Sequence, residues 1–332
     1  MKKLFFVLSA VLLLASCNTK QNKALMEKSS SGKTLEVLVA ADQGNYDGAT
    51  RQLIDSIFRQ PQLGLPQAEP RFDVTAISVA KLNNTSMFQK YRNIVICEVA
   101  ANGKDKVYID RDKWAAPQTV VHISAKNEAS LRDLLRRYEP NMVKSIYEAE
   151  HRRMIKAFDA HKNHELMQRV KDHFGFGMTF SEEFSWGKGS DGFAWIRKET
   201  KDFSLGVLIY VSPYRNQGQF EDERLYNRLD TMMRRNVPGP SEGGYMGTER
   251  RVALMSHKVD YPGTEYCIET HGLWSLHNTR DRMGGPFVSY SMLSPDGKNI
   301  VDVVGFVYAP RFNKRDYLMQ VEGICNSVKW TE

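Results

Sequence analysis

The first seventeen residues decide where the rest of the chain has to fold. Lys2 and Lys3 precede an uncharged apolar run, Leu4–Leu14, which leads into Ala15-Ser16-Cys17. A charged start, a short apolar stretch and small residues before a boundary make an export signal. The run is 11 residues long, whereas a helix crossing the hydrocarbon core needs about 20. Residues 1–16 therefore read as a signal and not as a membrane span. The remaining 316 of 332 residues must close their own cores after export, with enough length for one large or two ordinary domains.

Apolar residues at 42% and charged ones at 26% are the balance of a chain with real cores. Without the two signal lysines, 44 basic residues face 39 acidic ones, a dispersed net charge of +5. No basic run is interleaved with stacking aromatics, so nucleic acid is not an expected partner. Cys97, Cys267 and Cys325 each adjoin apolar residues. With Cys17 at the signal boundary they allow at most one disulfide and leave an odd thiol.

Hydrophobic periodicity predicts an α+β fold in two modules. Residues 17–33 are almost free of apolar side chains and form a flexible tether. An N-terminal domain over 34–160 is a small α/β-type layer, with strands at Leu35–Ala41, Phe72–Val79, Asn93–Val99, Val107–Ile109 and Thr119–Ile123. Its first helix is capped by Asp47 and stopped by Pro61. From Asn127 the period becomes 3.6, and Pro140 is expected to break one helix or begin the next. A helical connector over 161–177 leads to a C-terminal domain, 178–332, of long antiparallel strands packed with helices. There Leu225, Tyr226, Leu229, Met232 and Met233 mark one amphipathic helix, and Ser294-Pro295-Asp296-Gly297 marks a hairpin turn.

Several motifs fail in context. Gly187-Lys188-Gly189-Ser190-Asp191-Gly192 matches a dinucleotide fingerprint, but the strand-like Phe193-Ala194-Trp195-Ile196 follows where a helix is required. Gly239-Pro240-Ser241-Glu242-Gly243 matches a nucleophile elbow but follows a helix instead of a strand. His161 and His164 stand at i and i+3 without the further ligands a metal needs. Two stretches keep chemical interest. Glu269, His271, Ser275 and His277 share one face of a strand, either as a polar outer face or as acid–base groups. The segment Arg280-Asp281-Arg282-Met283-Gly284-Gly285 beside Trp274 could hold an anionic ligand or a partner, or could be a tight crossing whose arginines pair with acids of this chain.

The small residues before Cys17 resemble a bacterial lipobox, which implies an acylated cysteine and attachment to a membrane. Further blocks recur in order: Leu63-Gly64-Leu65-Pro66-Gln67-Ala68-Glu69-Pro70, Tyr91-Arg92-Asn93-Ile94, Phe193-Ala194-Trp195-Ile196-Arg197, Gly272-Leu273-Trp274, Met283-Gly284-Gly285-Pro286-Phe287 and Gly305-Phe306-Val307-Tyr308-Ala309-Pro310. Over nearly the whole mature chain they resemble a domain-of-unknown-function family of lipoproteins from Bacteroidota-type bacteria. The resemblance implies an envelope location and no reaction, cofactor or metal. Surface-export signals of some bacterial lipoproteins resemble acidic runs, and none follows Cys17, so the body is expected to face the periplasm, with the outer membrane as the expected anchor site. The expected role is non-catalytic binding or scaffolding with an envelope protein or anionic ligand. The alternative is a metal-independent hydrolase using Glu269, His271 and His277.

Overall fold

The computed structural model describes residues 29–42 and 48–331. The signal, Cys17, the tether up to residue 28 and the expected helix cap Asp47 lie outside them. The fold is mixed α/β, and the described residues fall into two compact units: those up to 60 together with 72–149, and 61–71 together with those from 150 onward.

In the first unit, β1 (Glu36–Ala41), β3 (Asn93–Val99) and β5 (Thr119–Ala125) are near-continuous apolar runs. That is the signature of parallel strands covered on both faces. With β2 (Asp73–Ile77) and β4 (Lys106–Arg111) they make a sheet of order β2-β1-β3-β5-β4, in which only β4 runs antiparallel. The largely exposed β4 carries Lys106, Asp110 and Arg111, charges that discourage pairing at a sheet edge. Three helices, α1 (Gly48–Phe58), α2 (Val79–Asn84) and α3 (Ser86–Gln89), fill the connections.

Helix α4 (Glu128–Ala160) corrects one expectation, because it runs unbroken through Pro140. Proline removes one backbone N–H and crowds the carbonyl four residues back. Here both Pro140 and Arg136 are exposed, so that carbonyl can turn to water. Leu131, Leu135, Met142 and Ile146 are buried on the other side and hold the helix together. The boundary between units falls inside α4, between Ala149 and Glu150. The expected connector is instead part of the second unit. There Asn163 caps α5 (His164–Phe174) and Leu166 and Val170 enter the core.

The second unit is built on one antiparallel sheet. Its strands are β7 (Ser185–Ser190), β8 (Phe193–Glu199), β9 (Ser204–Pro213), β10 (Tyr245–Thr248), β11 (Met255–Val259), β12 (Cys267–His277), β13 (Gly284–Leu293) and β14 (Asn299–Tyr308). The order is β10-β12-β13-β14-β9-β8-β7, with β11 also pairing β12. The pair β6 (Phe176–Gly177) and β15 (Lys329–Trp330) stands apart. Helix α6 (Asp222–Asn236) buries Leu225, Tyr226, Leu229, Met232 and Met233 on one face of the sheet. Helix α7 (Arg315–Cys325) covers the other face with Leu318, Val321, Ile324 and Cys325, joined by Phe158 from the end of α4. The sheet is therefore buried on both sides.

Residues 61–71 form a strap that belongs to this unit. Pro61 bridges Pro70, and Gln62 N donates to Glu69 O at 2.8 Å. Glu69 is only 4% exposed. Its carboxylate accepts the backbone N–H groups of Lys314 at 2.7 Å and Arg315 at 3.0 Å, while Arg315 Nη1 donates to Pro70 O at 2.9 Å. The residue that should cap α7 is Lys314, which has no side-chain cap to offer. A carboxylate from far upstream supplies it, satisfying amides that would otherwise be orphaned and facing the positive end of the helix. Replacing Glu69 by Ala should therefore cost about 1–2 kcal/mol. The loss would be read as a lowered urea midpoint in tryptophan fluorescence, to which Trp195 and Trp274 of this unit contribute. Glu69→Gln should recover part of that loss.

Candidate functional site

Strand β12 carries most of the residues singled out by sequence, and its alternation sorts them. Ile268, Trp274 and Leu276 face α6, while Cys267 joins the core beneath α7. Glu269 and His271 share the side of Cys267, so they are not on a solvated outer face. Their side chains are 16% and 11% exposed.

Under α7 these two meet a polar cluster. His271 Nε2 lies 2.5 Å from Glu269 Oε1, and His257 of β11 is 3.9 Å from the same oxygen. Tyr290 stands on β13 directly opposite Glu269, and its hydroxyl accepts from Asn326 Nδ2 at 2.8 Å. Helix α7 brings Glu322, and α4 brings His151, whose Nε2 is 3.3 Å from Glu322 Oε1. Burial works against the charge on Glu269, but the bond from His271 prevails and holds the carboxyl below its ordinary range. Burial likewise disfavours imidazolium at His271 and His151. The neighbouring Glu269 and Glu322 carboxylates outweigh it, so both rings hold their protons above the usual histidine range.

His277 does not join them. Six residues of extended strand separate it from His271, about 20 Å at 3.4 Å per residue. The three residues of the expected hydrolase alternative therefore do not converge. Instead His277 stacks on Tyr245, with ring centroids 5.7 Å apart, and its Nε2 lies 3.4 Å from Ser275 Oγ. Ser275 Oγ donates to Glu249 at 3.2 Å. Glu249 also takes two guanidinium bonds from Arg251, which hold its carboxyl down at about 2. A nucleophilic triad needs the carboxylate to orient the histidine. Here it binds the serine, so the set lacks that logic.

On the α6 face, the sheet beyond the end of that helix opens into a cavity of ≈ 280 Å³. Trp195, Leu205, Trp274, Leu276, Met283 and Phe306 form its apolar wall, the turn from Val237 to Pro240 closes one side, and Arg197 and Glu199 also border it. The last two pair at 2.9 Å. Trp274 is 4% exposed, donates its indole N–H to Val307 O at 3.0 Å and sets its ring edge-on to Phe306. It is a cavity wall and not an exposed platform. The Trp195 indole N–H is buried without a hydrogen-bond partner among the described residues.

The 278–285 loop splits in the same way. Met283 lines the cavity. Asp281 ties the loop to the turn after α6 by accepting Ser241 N at 3.1 Å and the Thr279 hydroxyl at 3.0 Å. Gly284 and Gly285 belong to β13, and a side chain on Gly285 would strike the Val307 carbonyl oxygen and the Trp274 indole. The glycines serve close packing. Arg280 and Arg282 are exposed and have no acidic partner among the described residues, which corrects the expectation that a structural crossing would pair them internally.

Elsewhere the motif tests hold. The glycine-rich 187–192 stretch lies in the β7–β8 hairpin, Ser241 sits in an exposed turn, and His161 and His164 are exposed at the start of α5. The three described cysteines are buried free thiols, with no disulfide among them. Sequence reasoning missed Glu322, His151, Tyr290 and Trp195. Glu322 had a readable signal, since it falls four residues after Leu318 and beside Val321, a carboxylate within an apolar stripe.

The anchor signal and the two α+β units define an exported lipoprotein class. Residues 163–327 match a family described as a domain of unknown function (DUF4837). Residues 30–159 match another, DUF8532, and residues 1–18 match the prokaryotic membrane lipoprotein lipid attachment site. The resemblance to a single family thus resolves into two that meet between 159 and 163. No curated protein matches the chain. The protein is a membrane-anchored lipoprotein, and among the described residues no helix is long and apolar enough to cross a membrane.

The exposed arginine pair gives a direct test of the loop. Arg280→Ala together with Arg282→Ala should leave the urea midpoint within about 0.5 kcal/mol of the parent, as for surface changes away from special features. A loss beyond about 1 kcal/mol would reveal internal pairing.

Proposed function

We propose that the protein is lipidated at Cys17, sits in the outer membrane facing the periplasm, and works by binding and not by catalysis. Its ligand is an apolar group taken into the cavity beside Trp195. The observation that carries this reading is the cavity itself, walled by Trp195, Trp274, Leu276, Met283 and Phe306 with the Arg197–Glu199 pair at its border. Small-molecule sites combine apolar walls with a few placed polar groups, usually over about 300–1,000 Å³. A cavity of ≈ 280 Å³ suits a small ligand or one anchoring group of a larger partner. The absence of an acidic run after Cys17 supports the periplasmic orientation, and the separation of His277 from Glu269 and His271 supports binding over hydrolysis.

The dye 1-anilinonaphthalene-8-sulfonate has the required chemistry, a fused apolar ring. It should bind the folded protein saturably, one per chain. Trp195→Ala removes part of the apolar wall and should weaken binding about tenfold. Met283→Trp should block the cavity. Dye binding that ignores both substitutions would sink the cavity as the site.

The anchor is tested separately. Cys17→Ala should accumulate as an uncleaved precursor that takes up no labelled palmitate. In the parent, the body should resist added protease until the outer membrane is opened. Digestion in intact cells would place it on the outside.

A further inference from the structure

We propose that Glu269, His271 and Glu322, completed by His151, form a buried site for one divalent transition-metal ion, zinc being the best fit. This site lies on the α7 face of the sheet and is independent of the cavity on the α6 face. Glu269, His271 and Glu322 can each present a ligand atom with all three within 4.8 Å of one another. His151 adds a nitrogen 3.3 Å from Glu322 Oε1. Ligands of a four-coordinate zinc, with bonds of about 2.0–2.1 Å, stand about 3.3 Å apart. Within the Glu269–His271–Glu322 trio the separations, from 2.5 Å for His271 to Glu269 up to that 4.8 Å limit, bracket this value. An ion would need Glu269 and His271 to part slightly and His151, which is close to Glu322 but outside the trio, to move in as the fourth ligand.

The donor set has the right chemistry. Two imidazoles and two carboxylates suit zinc, and a mixed nitrogen–oxygen shell disfavours calcium and magnesium, which prefer oxygen alone. Two carboxylates and one divalent ion also balance in charge, which matters where the side chains are 10–18% exposed. Glu150, buried alongside, is already neutralised by Arg153 at 2.8 Å. His271 Nδ1 is buried with no hydrogen-bond partner among the described residues, so no neighbouring group holds the ring to one tautomer. Around the first ring of groups stands a second, as metal sites require. Tyr290 stands directly opposite Glu269 across the strand pair, Asn326 holds the Tyr290 hydroxyl, and His257 lies behind Glu269 at 3.9 Å. The ligands come from α4, α7 and β12, so the ion would tie two helices to the sheet. With so little exposure this is a closed, structural kind of site.

Full-length lipoprotein in detergent, stripped with a chelator and dialysed, should take up one Zn²⁺ per chain by calorimetry and elemental analysis, with a rise in melting temperature. His271→Gln and Glu322→Gln should each weaken zinc binding at least about a hundredfold, while a His161→Gln/His164→Gln double variant should bind like the parent. If either single variant fails to fold, Co²⁺ added to the parent still decides, because ligation by nitrogen and oxygen gives visible absorption bands that Zn²⁺ displaces. No uptake of Zn²⁺ or Co²⁺ in excess, or uptake abolished by the His161/His164 change, overturns the proposal and leaves the cluster as a pair of buried ion pairs.

Discussion

A buried helix end cannot be left unsatisfied, and in this protein a distant carboxylate satisfies it. Helix α7 starts inside the second unit, where water cannot reach its first amides, and Lys314 brings no capping side chain. Glu69 fills the gap with two short bonds. Much else follows from where that fixes α7. Val321, Ile324 and Cys325 can then close one face of the sheet, and Glu322 is delivered to His151 and the β12 cluster. The Leu63–Pro70 block is explained as well. Gly64, at φ +76, lets the strap approach within van der Waals contact of His271, and Glu69 and Pro70 each bind the start of α7.

The second governing feature is that both faces of the antiparallel sheet are covered. A strand in such a sheet cannot hide polar groups by turning them outward, so a polar residue in β12 is costly unless it finds a partner inside. Glu269 and His271 find each other, beside Glu322 and its partner His151. On the opposite face, Asp302, fully buried, takes two bonds from Arg228 and one from Ser291. Where α6 ends, the cover stops and the apolar face lines a cavity instead. The cluster and the cavity thus have one origin, a two-sided sheet whose helices do not fit it equally.

What the sequence made legible is what local pattern controls. Asn93–Val99 has the same bounds in sequence and structure, because an unbroken apolar run flanked by polar residues leaves no other choice. The buried stripe of α6 and the turn at Ser294–Gly297 were readable for the same reason. Pro140 misled because a proline rule speaks of one lost bond, while the burial of Leu135, Met142 and Ile146 decides whether the helix survives it. The short β7 and β10, rich in glycine, carry little pattern of their own and exist through their partners. The role of the strap has no local signal, since nothing near Glu69 announces a helix end 245 residues later. The site was half visible. Glu269 and His271 stood out as polar residues in an apolar strand, but their true companions lie on two helices, and proximity in sequence suggested His277 instead.

The strap also sets an order of events for a chain made from its N-terminus and exported. Residues 61–71 leave the first unit's sequence, join the second unit, and hand the chain back to the first at residue 72. Glu69 therefore emerges early and has to wait for the last helix of the protein before its carboxylate has amides to bind. Closing so long a loop is entropically slow and comes before any reward from the contact. The first unit, whose residues are complete by 149, can condense while the strap is still idle. A chain caught at that stage presents Leu65 and the Glu69 carboxylate without their shelter, so the interval between the two events is when it is most exposed to proteases and chaperones.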